Sequence, residues 1–231
     1  MPSRLQLLAV IKQLEKFHGR PEKPVFAGPL EMILWENVVY LADDGKRRAA
    51  FELLRDKIGL TADKILAAPD KTLFAVTRTA GILPNNQVRK LRQIAQTVVD
   101  EFGGDLDGVL RQPLVQAKKS LRKFPGIGEP GAEKILLFCR AQPVLALESN
   151  GLRVLLRLGY GKEDKNYAKS YRSAQEAVKK ELKTDFDCLI RAHQLLRQHG
   201  QEICRRARPI CEKCPLAKCC KFYLAHSSDR H

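Results

Sequence analysis

Apolar residues recur at intervals of three and four along most of the chain, and runs of strict alternation are scarce. That periodicity puts one apolar stripe on each of a series of helices. Residues 29–42 (PLEMILWENVVYLA) are apolar on nearly every face, which predicts a helix buried at the centre of the fold. Residues 46–58, 70–79 and 86–102 carry the i, i+3, i+4 pattern, punctuated by Gly81, Pro84 and the Gly103-Gly104 pair. Residues 113–124 lead into a glycine-rich turn, and another helical run continues through Cys139. The pattern returns in 150–159, 166–182 and 185–199, and residues 1–18 mix apolar and basic positions at helical spacing. The fold class is therefore all-α, without low-complexity segments or internal repeats.

Length and charge sharpen the picture. A chain of 231 residues suits one large domain or two small ones. Its 41 Lys and Arg against 26 Asp and Glu give a formal charge of +15, spread along the chain rather than gathered in a tail. A folded protein with that surplus is expected to meet a polyanion such as nucleic acid, gaining salt-dependent affinity by displacing counterions. A merely soluble basic surface is the alternative. No apolar run is long enough to span a bilayer and no secretory signal is evident, so the expected setting is intracellular, cytoplasmic in a prokaryote, with no membrane partner.

Five of the seven cysteines lie in the last 28 residues, while Cys139 and Cys188 stand alone in apolar stretches. Cys204, Cys211, Cys214 and Cys220 are spaced C-x6-C-x2-C-x5-C. So many thiols in so short a segment read as ligands of one centre, either tetrahedral zinc or a [4Fe–4S] cluster. Zinc sites usually pair two short knuckles, and only Cys211 and Cys214 form one here, so the wide first gap favours the cluster. Cys219 could replace Cys220 as the fourth ligand.

A second motif is Phe124-Pro125-Gly126-Ile127-Gly128, set between two helical runs. Its glycines permit a sharp turn that points successive amides outward, Ile127 anchors the turn, and Pro130 suits the first turn of the next helix. The amides and the positive end of that helix can cradle a phosphate. A hairpin built only for packing has the same pattern.

Together the hairpin and the cysteine cluster resemble the helix-hairpin-helix DNA glycosylases of the endonuclease III family, over roughly residues 25–222. The resemblance implies a six-helix barrel domain over 28–140 and a discontinuous cluster domain from 1–27 and 141–225. Residues 226–231 form a tail, and a DNA groove lies between the domains. It implies a [4Fe–4S] cluster on Cys204, Cys211, Cys214 and Cys220 with Cys219 a bystander, and a monovalent cation at the hairpin. The partner it implies is double-stranded DNA carrying a damaged or mismatched base, bound by a monomer. Backbone contacts fall to Gly126, Ile127 and Gly128 and to the basic loop of Arg205, Arg206, Arg208, Lys213 and Lys218. Ile82 or Leu83 matches the loop that wedges into the base stack.

Two positions depart from the family pattern. Its catalytic lysine, two residues past the second hairpin glycine, is Pro130 here, which has no amine for a Schiff base. Its catalytic aspartate is replaced by Glu148 in the run LESNGLRV. A carboxylate there can stabilise an oxocarbenium-like sugar, or simply cap a helix. Glu36 lies seven residues past Pro29, where the related mismatch glycosylases carry a glutamate. Among Leu34, Trp35 and Val38 it is expected to sit in apolar surroundings and protonate the departing base, the alternative being a rim glutamate paired with one of the many arginines. Trp35, Asn37 and Tyr40 are candidates to face that base, with core packing as the alternative, and Leu41 stands where the family has glutamine. Lys134 is the alternative amine for strand cleavage, with a solvated surface lysine as the default. His193 and His199 are expected to serve packing or phosphate contacts. The resemblance thus implies a monofunctional glycosylase of base excision repair. The rivals are a lesion-binding protein that does not cut and a lyase using another amine.

Overall fold

In a computed structural model that describes residues 5–22, 24, 26–79, 81–182 and 185–227, every regular element among the described residues is helical. The first nine helices are α1 (Leu7–His18), α2 (Pro29–Asn37), α3 (Asp44–Lys57), α4 (Ala62–Ala67), α5 (Asp70–Thr77), α6 (Pro84–Phe102), α7 (Asp107–Leu110), α8 (Leu114–Leu121) and α9 (Glu129–Phe138). They are followed by α10 (Ser149–Leu158), α11 (Tyr167–Val178), α12 (Phe186–Glu202), two short 3-10 turns and α13 (Lys221–Ser227). No helix among the described residues is long and apolar enough to cross a membrane. The chain divides into two compact units, Val25–Gln142 and the pair of segments Met1–Pro24 and Pro143–His231. Of the expected tail, 226–231, the first two residues end α13 and residues 228–231 lie outside the described residues.

The Val25–Gln142 unit is built around α2, where Met32, Ile33 and Leu34 are fully buried. Pro29 opens this helix, where its missing N–H costs nothing. The helix stops at Asn37 rather than running to residue 42 as the apolar pattern predicts. Its last carbonyls, which have no partner within the helix, are taken by Arg47, whose Nη1 donates to Trp35 O (3.1 Å) and Glu36 O (3.2 Å). Helix α6 presents Val88, Leu91, Ile94, Ala95 and Val98 to this core at helical spacing. Arg92 closes the end of α4 by donating from Nη1 to Ile65 O (2.6 Å) and Leu66 O (2.5 Å). The pattern gave no sign of α4 or α7, whose six and four residues are too short to show a period. Lys118 joins α8 to α9 through Glu129 (2.8 Å) and the buried Glu133 (2.9 Å).

In the other unit, α10 packs along α12 and α1 lies on α12. The approach is close because Gly200 has no side chain: a Cβ there would lie 2.5 Å from the backbone oxygen of Asn150. The segment before α10 is pinned by the Leu147 amide donating to the Tyr171 hydroxyl (3.2 Å) and by His193 Nδ1 at 2.8 Å from Ala146 O. His193 is thus a packing residue. Replacing Gly200 with Ala should destabilise the fold by roughly 1–3 kcal/mol, the cost of overpacking. Gly151→Ala, whose Cβ would meet nothing nearer than Leu196 Cβ at 3.4 Å, should be close to neutral or stabilising. Denaturant unfolding of the two variants checks the contrast.

Candidate functional site

The four spaced cysteines, Cys204, Cys211, Cys214 and Cys220, line one cavity together with Arg157, Ile203 and Phe222. The wide first gap folds back on itself through the Ile210 amide, which donates to Ile203 O (2.9 Å). The turns Cys211–Lys213 and Ala217–Cys219 then wrap the remaining ligands. Cys219 does not line the cavity, and its thiol donates to Leu216 O (3.2 Å). Burial pushes the Cys214 thiol up to about 12 and raises Cys211 and Cys220, with the charge of neighbouring thiolates adding in each case. Four thiolates can share such a space only around a cationic centre. Among the described residues no three His, Cys, Asp or Glu side chains converge on a point fit for one ion. Four thiols lining one cavity are the residues that would hold such a centre.

Two side chains reach the sulfurs from outside the loop. Arg157 donates from Nη1 to Cys204 Sγ (3.3 Å) and Arg205 O (2.8 Å), and from Nη2 to Arg206 O (3.0 Å), with its guanidinium 4.4 Å from the centre of the Phe222 ring. His199 Nε2 lies 3.4 Å from Cys214 Sγ, and its Nδ1 is 3.0 Å from Nε2 of His18. Burial, then the neighbouring His18, lowers the His199 pKa to about 4, so it is neutral at physiological pH. No sequence signal marked His199 as a neighbour of sulfur, because its partners come from α1 and the loop.

Glu148 is the N-cap of α10. Its Oε1 accepts from the Gly151 amide (2.7 Å) and its Oε2 from Asn150 Nδ2 (2.8 Å). The helix dipole favours an anion at this place. Asn150 is held in turn by Arg153, whose Nη2 donates to Asn150 Oδ1 (2.8 Å) and Gly200 O (2.7 Å) and whose Nε donates to Cys204 O (2.8 Å). The carboxylate is thus tied through two side chains to the first cysteine of the cluster loop. Sequence reasoning passed over Asn150 and Arg153, although their i, i+3 spacing after Glu148 was the available signal. Beside this network Ser149, Asn150, Arg153, Gly200, Gln201, Arg205 and Arg206 line an open cavity. Arg205, Arg206, Arg208, Lys213 and Lys218 are all exposed.

In the Val25–Gln142 unit the hairpin turn is seated by the buried Phe124 and Ile127. Gly126 has φ 73°, a conformation that favours glycine, and a Cβ there would lie 3.1 Å from Asn37 Oδ1. Gly128 is the N-cap of α9, with Pro130 in the first turn. Asn37 is only 2 % exposed, and its Nδ2 donates to Ile33 O (3.0 Å) and Pro125 O (2.9 Å). It braces the hairpin and is not placed to read a base. Trp35 packs edge-on against Phe26 and Phe51, at 5.7 and 5.4 Å between ring centres, and belongs to the core. Tyr40, Leu41, Ile82 and Leu83 stand exposed.

No family model matches the chain. It is 30% identical over 202 residues to endonuclease III of Sulfolobus acidocaldarius, a match covering 87% of this chain and 83% of that protein. The chain belongs to the endonuclease III family. Its fold is also that of an endonuclease III trapped as a covalent intermediate with DNA (TM-score 0.75, 20% identity, 98% and 100% of the two chains covered). A thermostable thymine-DNA glycosylase is similar in the same way (TM-score 0.74, 19% identity, 95% and 97% covered).

The Glu36 carboxylate does not have the apolar surroundings expected of it and forms an ion pair with the Lys134 ammonium. Lys134 is in turn partly buried rather than a solvated surface lysine. Both belong to the Val25–Gln142 unit, whereas Glu148 belongs to the other. Substituting Cys204, Cys211, Cys214 or Cys220 with Ser should strip the purified protein of iron and of its broad visible absorbance, whereas Cys219→Ser should retain both. Iron analysis alongside the absorption spectrum checks this.

Proposed function

We propose that this chain is a monofunctional DNA glycosylase of base excision repair, which hydrolyses the N-glycosidic bond of a damaged or mismatched base turned out of duplex DNA. The observation that carries this reading is the Glu148 carboxylate, fixed at the N-terminus of α10 and tied through Asn150 and Arg153 to the cysteine loop. A fixed anion beside the sugar stabilises the positive charge that develops as the bond breaks. The Lys134 ammonium, paired with the Glu36 carboxylate, carries a proton that the departing base can take, leaving a neutral amine. Pro130 leaves no amine at the family's lysine position, which supports hydrolysis without strand cleavage. The amides of Gly126, Ile127 and Gly128 hold a backbone phosphate, and the basic residues from Arg205 to Lys218 hold others. Cys204, Cys211, Cys214 and Cys220 would hold a [4Fe–4S] cluster, which when bound would supply the positive charge that four neighbouring thiolates need. The reduced thiols it needs suit a site of action inside the cell.

One observation favours the rival reading of a protein that binds lesions without cutting. Both oxygens of Glu148 are already engaged, Oε1 by the Gly151 amide as a helix cap and Oε2 by the Asn150 side chain. Incubation with duplexes carrying uracil, oxidised pyrimidines, alkylated purines, G·T and A·8-oxoguanine pairs separates the two. Release of a base from one of them is the expected result, and Glu148→Gln should slow it by on the order of a hundredfold or more while DNA affinity holds. Turnover unchanged in that variant removes Glu148 from the mechanism, and tight lesion binding with no product favours the rival. Borohydride should trap no adduct on abasic DNA, and an adduct that disappears in Lys134→Met would restore a lyase.

A further inference from the structure

A tyrosine that belongs to none of the groups described above stands beside the Glu148 carboxylate. Positions 167, 171 and 175 are four apart and share one face of α11. From that face Gln175 Nε2 donates to Leu145 O (3.0 Å), and the Tyr171 hydroxyl accepts from the Leu147 amide (3.2 Å). The face therefore runs along the segment entering α10, in the opposite direction. Four residues of helix rise about 6 Å, which matches about 6.6 Å for two residues of extended chain. One further step along the face brings Tyr167 to the place where the segment becomes helix, at Glu148. The phenol of Tyr167 reports the same neighbour, since burial, and then the negative charge of Glu148, raise its pKa.

Tyr171 is buried, but Tyr167 is 46% exposed. A single aromatic side chain in solvent is ordinary. This one is held in place. Its ring stacks on Tyr171, with 6.1 Å between centres. The start of its helix is fixed by Asn166 Oδ1, which accepts from the Ala168 amide (2.9 Å). Ser170 ties down the approach to that helix, its hydroxyl accepting from the Asp164 amide (2.7 Å) and donating to Asp164 O (3.0 Å). Lys165 and Lys169, on either side in sequence, are exposed. A fixed ring among cations beside the carboxylate suits a nucleotide, whose sugar can meet the ring and whose phosphates can meet the lysines.

We propose that Tyr167 is a further substrate-contacting residue, whose ring packs against the sugar of the turned-out nucleotide next to Glu148. The inference rests on the glycosylase reading and deepens it at the same site. The sugar gains positive charge as the base leaves, and the electron-rich face of an aromatic ring attracts a cation. The carboxylate and the ring thus favour the same developing charge. Phenylalanine offers the same face, whereas leucine packs without one.

The test uses the full-length, iron-loaded protein and duplexes of one sequence that are undamaged, carry a neutral tetrahydrofuran abasic analogue, or carry a pyrrolidine analogue. The protonated nitrogen of the pyrrolidine stands in for the charge on the sugar. Dissociation constants are measured by anisotropy at fixed salt. The native protein should bind the pyrrolidine duplex more tightly than the tetrahydrofuran duplex. Tyr167→Leu should shrink that ratio about fivefold or more, as loss of a desolvated cation–π contact implies, and Tyr167→Phe should hold most of it. A residue that only supports the fold would weaken both duplexes alike, so a native ratio in Tyr167→Leu overturns the proposal, as does a native protein that binds the two analogues alike. Hydroxyl-radical oxidation of the native protein, read by mass spectrometry, needs no variant to fold. The pyrrolidine duplex should protect Tyr167 and the undamaged duplex should not, and equal oxidation with both overturns the proposal. Native protein that binds neither analogue more tightly than undamaged DNA brings down the glycosylase reading as well, whereas an unchanged ratio in Tyr167→Leu brings down the role of Tyr167 alone.

Discussion

The guanidinium of Arg153 is the point that joins the start of α10 to the cysteine loop. It spans the side chain of Asn150, the carbonyl of Gly200 and the carbonyl of Cys204. Carbonyls at the end of a helix such as α12 have no partner of their own and need an outside donor. Arg157, four residues later and so on the same face of α10, does the same for the carbonyls of Arg205 and Arg206 and reaches the sulfur of Cys204. Two arginines on one helix thus hold the first half of the cysteine loop. The same helix begins at Glu148. Whatever positions the loop therefore also positions the carboxylate, and Gly200 makes this possible by letting α10 approach α12 without a side chain between them.

That coupling gives the cysteines a role beyond their own loop. Buried thiols resist ionisation, and a cationic centre is what turns them into ligands. Once ligated, they fix the backbone from Cys204 to Cys220, on which the exposed Arg205, Arg206, Arg208, Lys213 and Lys218 stand. A surplus of positive charge along a mobile loop would attract DNA without register. Held in place, the same charges can position a phosphate while the bases are read elsewhere. In the proposed mechanism the cluster is structural, and the carboxylate touches the reacting sugar.

The all-α class, the family and most helices were legible in the sequence because each rests on local periodicity or on spacing within a few residues. The cysteine motif and the hairpin were legible for the same reason. What escaped was made by partners distant in the chain. Asn37 looked like a base reader at the end of an apolar helix, but its donor is claimed by Pro125, 88 residues away. Glu36 could be read as an acid among apolar neighbours or as one paired with an arginine, and its partner proves to be Lys134, 98 residues away. Trp35 is drawn into the core by Phe26 and Phe51. Helix α2 ends early because Arg47, on the next helix, caps it. Leu41 and Leu83 carry no sequence mark of a left-handed backbone, a conformation that pattern alone assigns to glycine or asparagine.

The central claim is that the cysteine loop and the acting carboxylate form one mechanical unit through Arg153. It is tested most directly by measuring iron content and the single-turnover rate of base release on the same sample of Arg153→Met. The account predicts a loss of base release of about ten- to a hundredfold, the range seen when residues behind a metal site are removed, together with weakened retention of iron. A variant that releases the base at the native rate, whatever iron it holds, would contradict it.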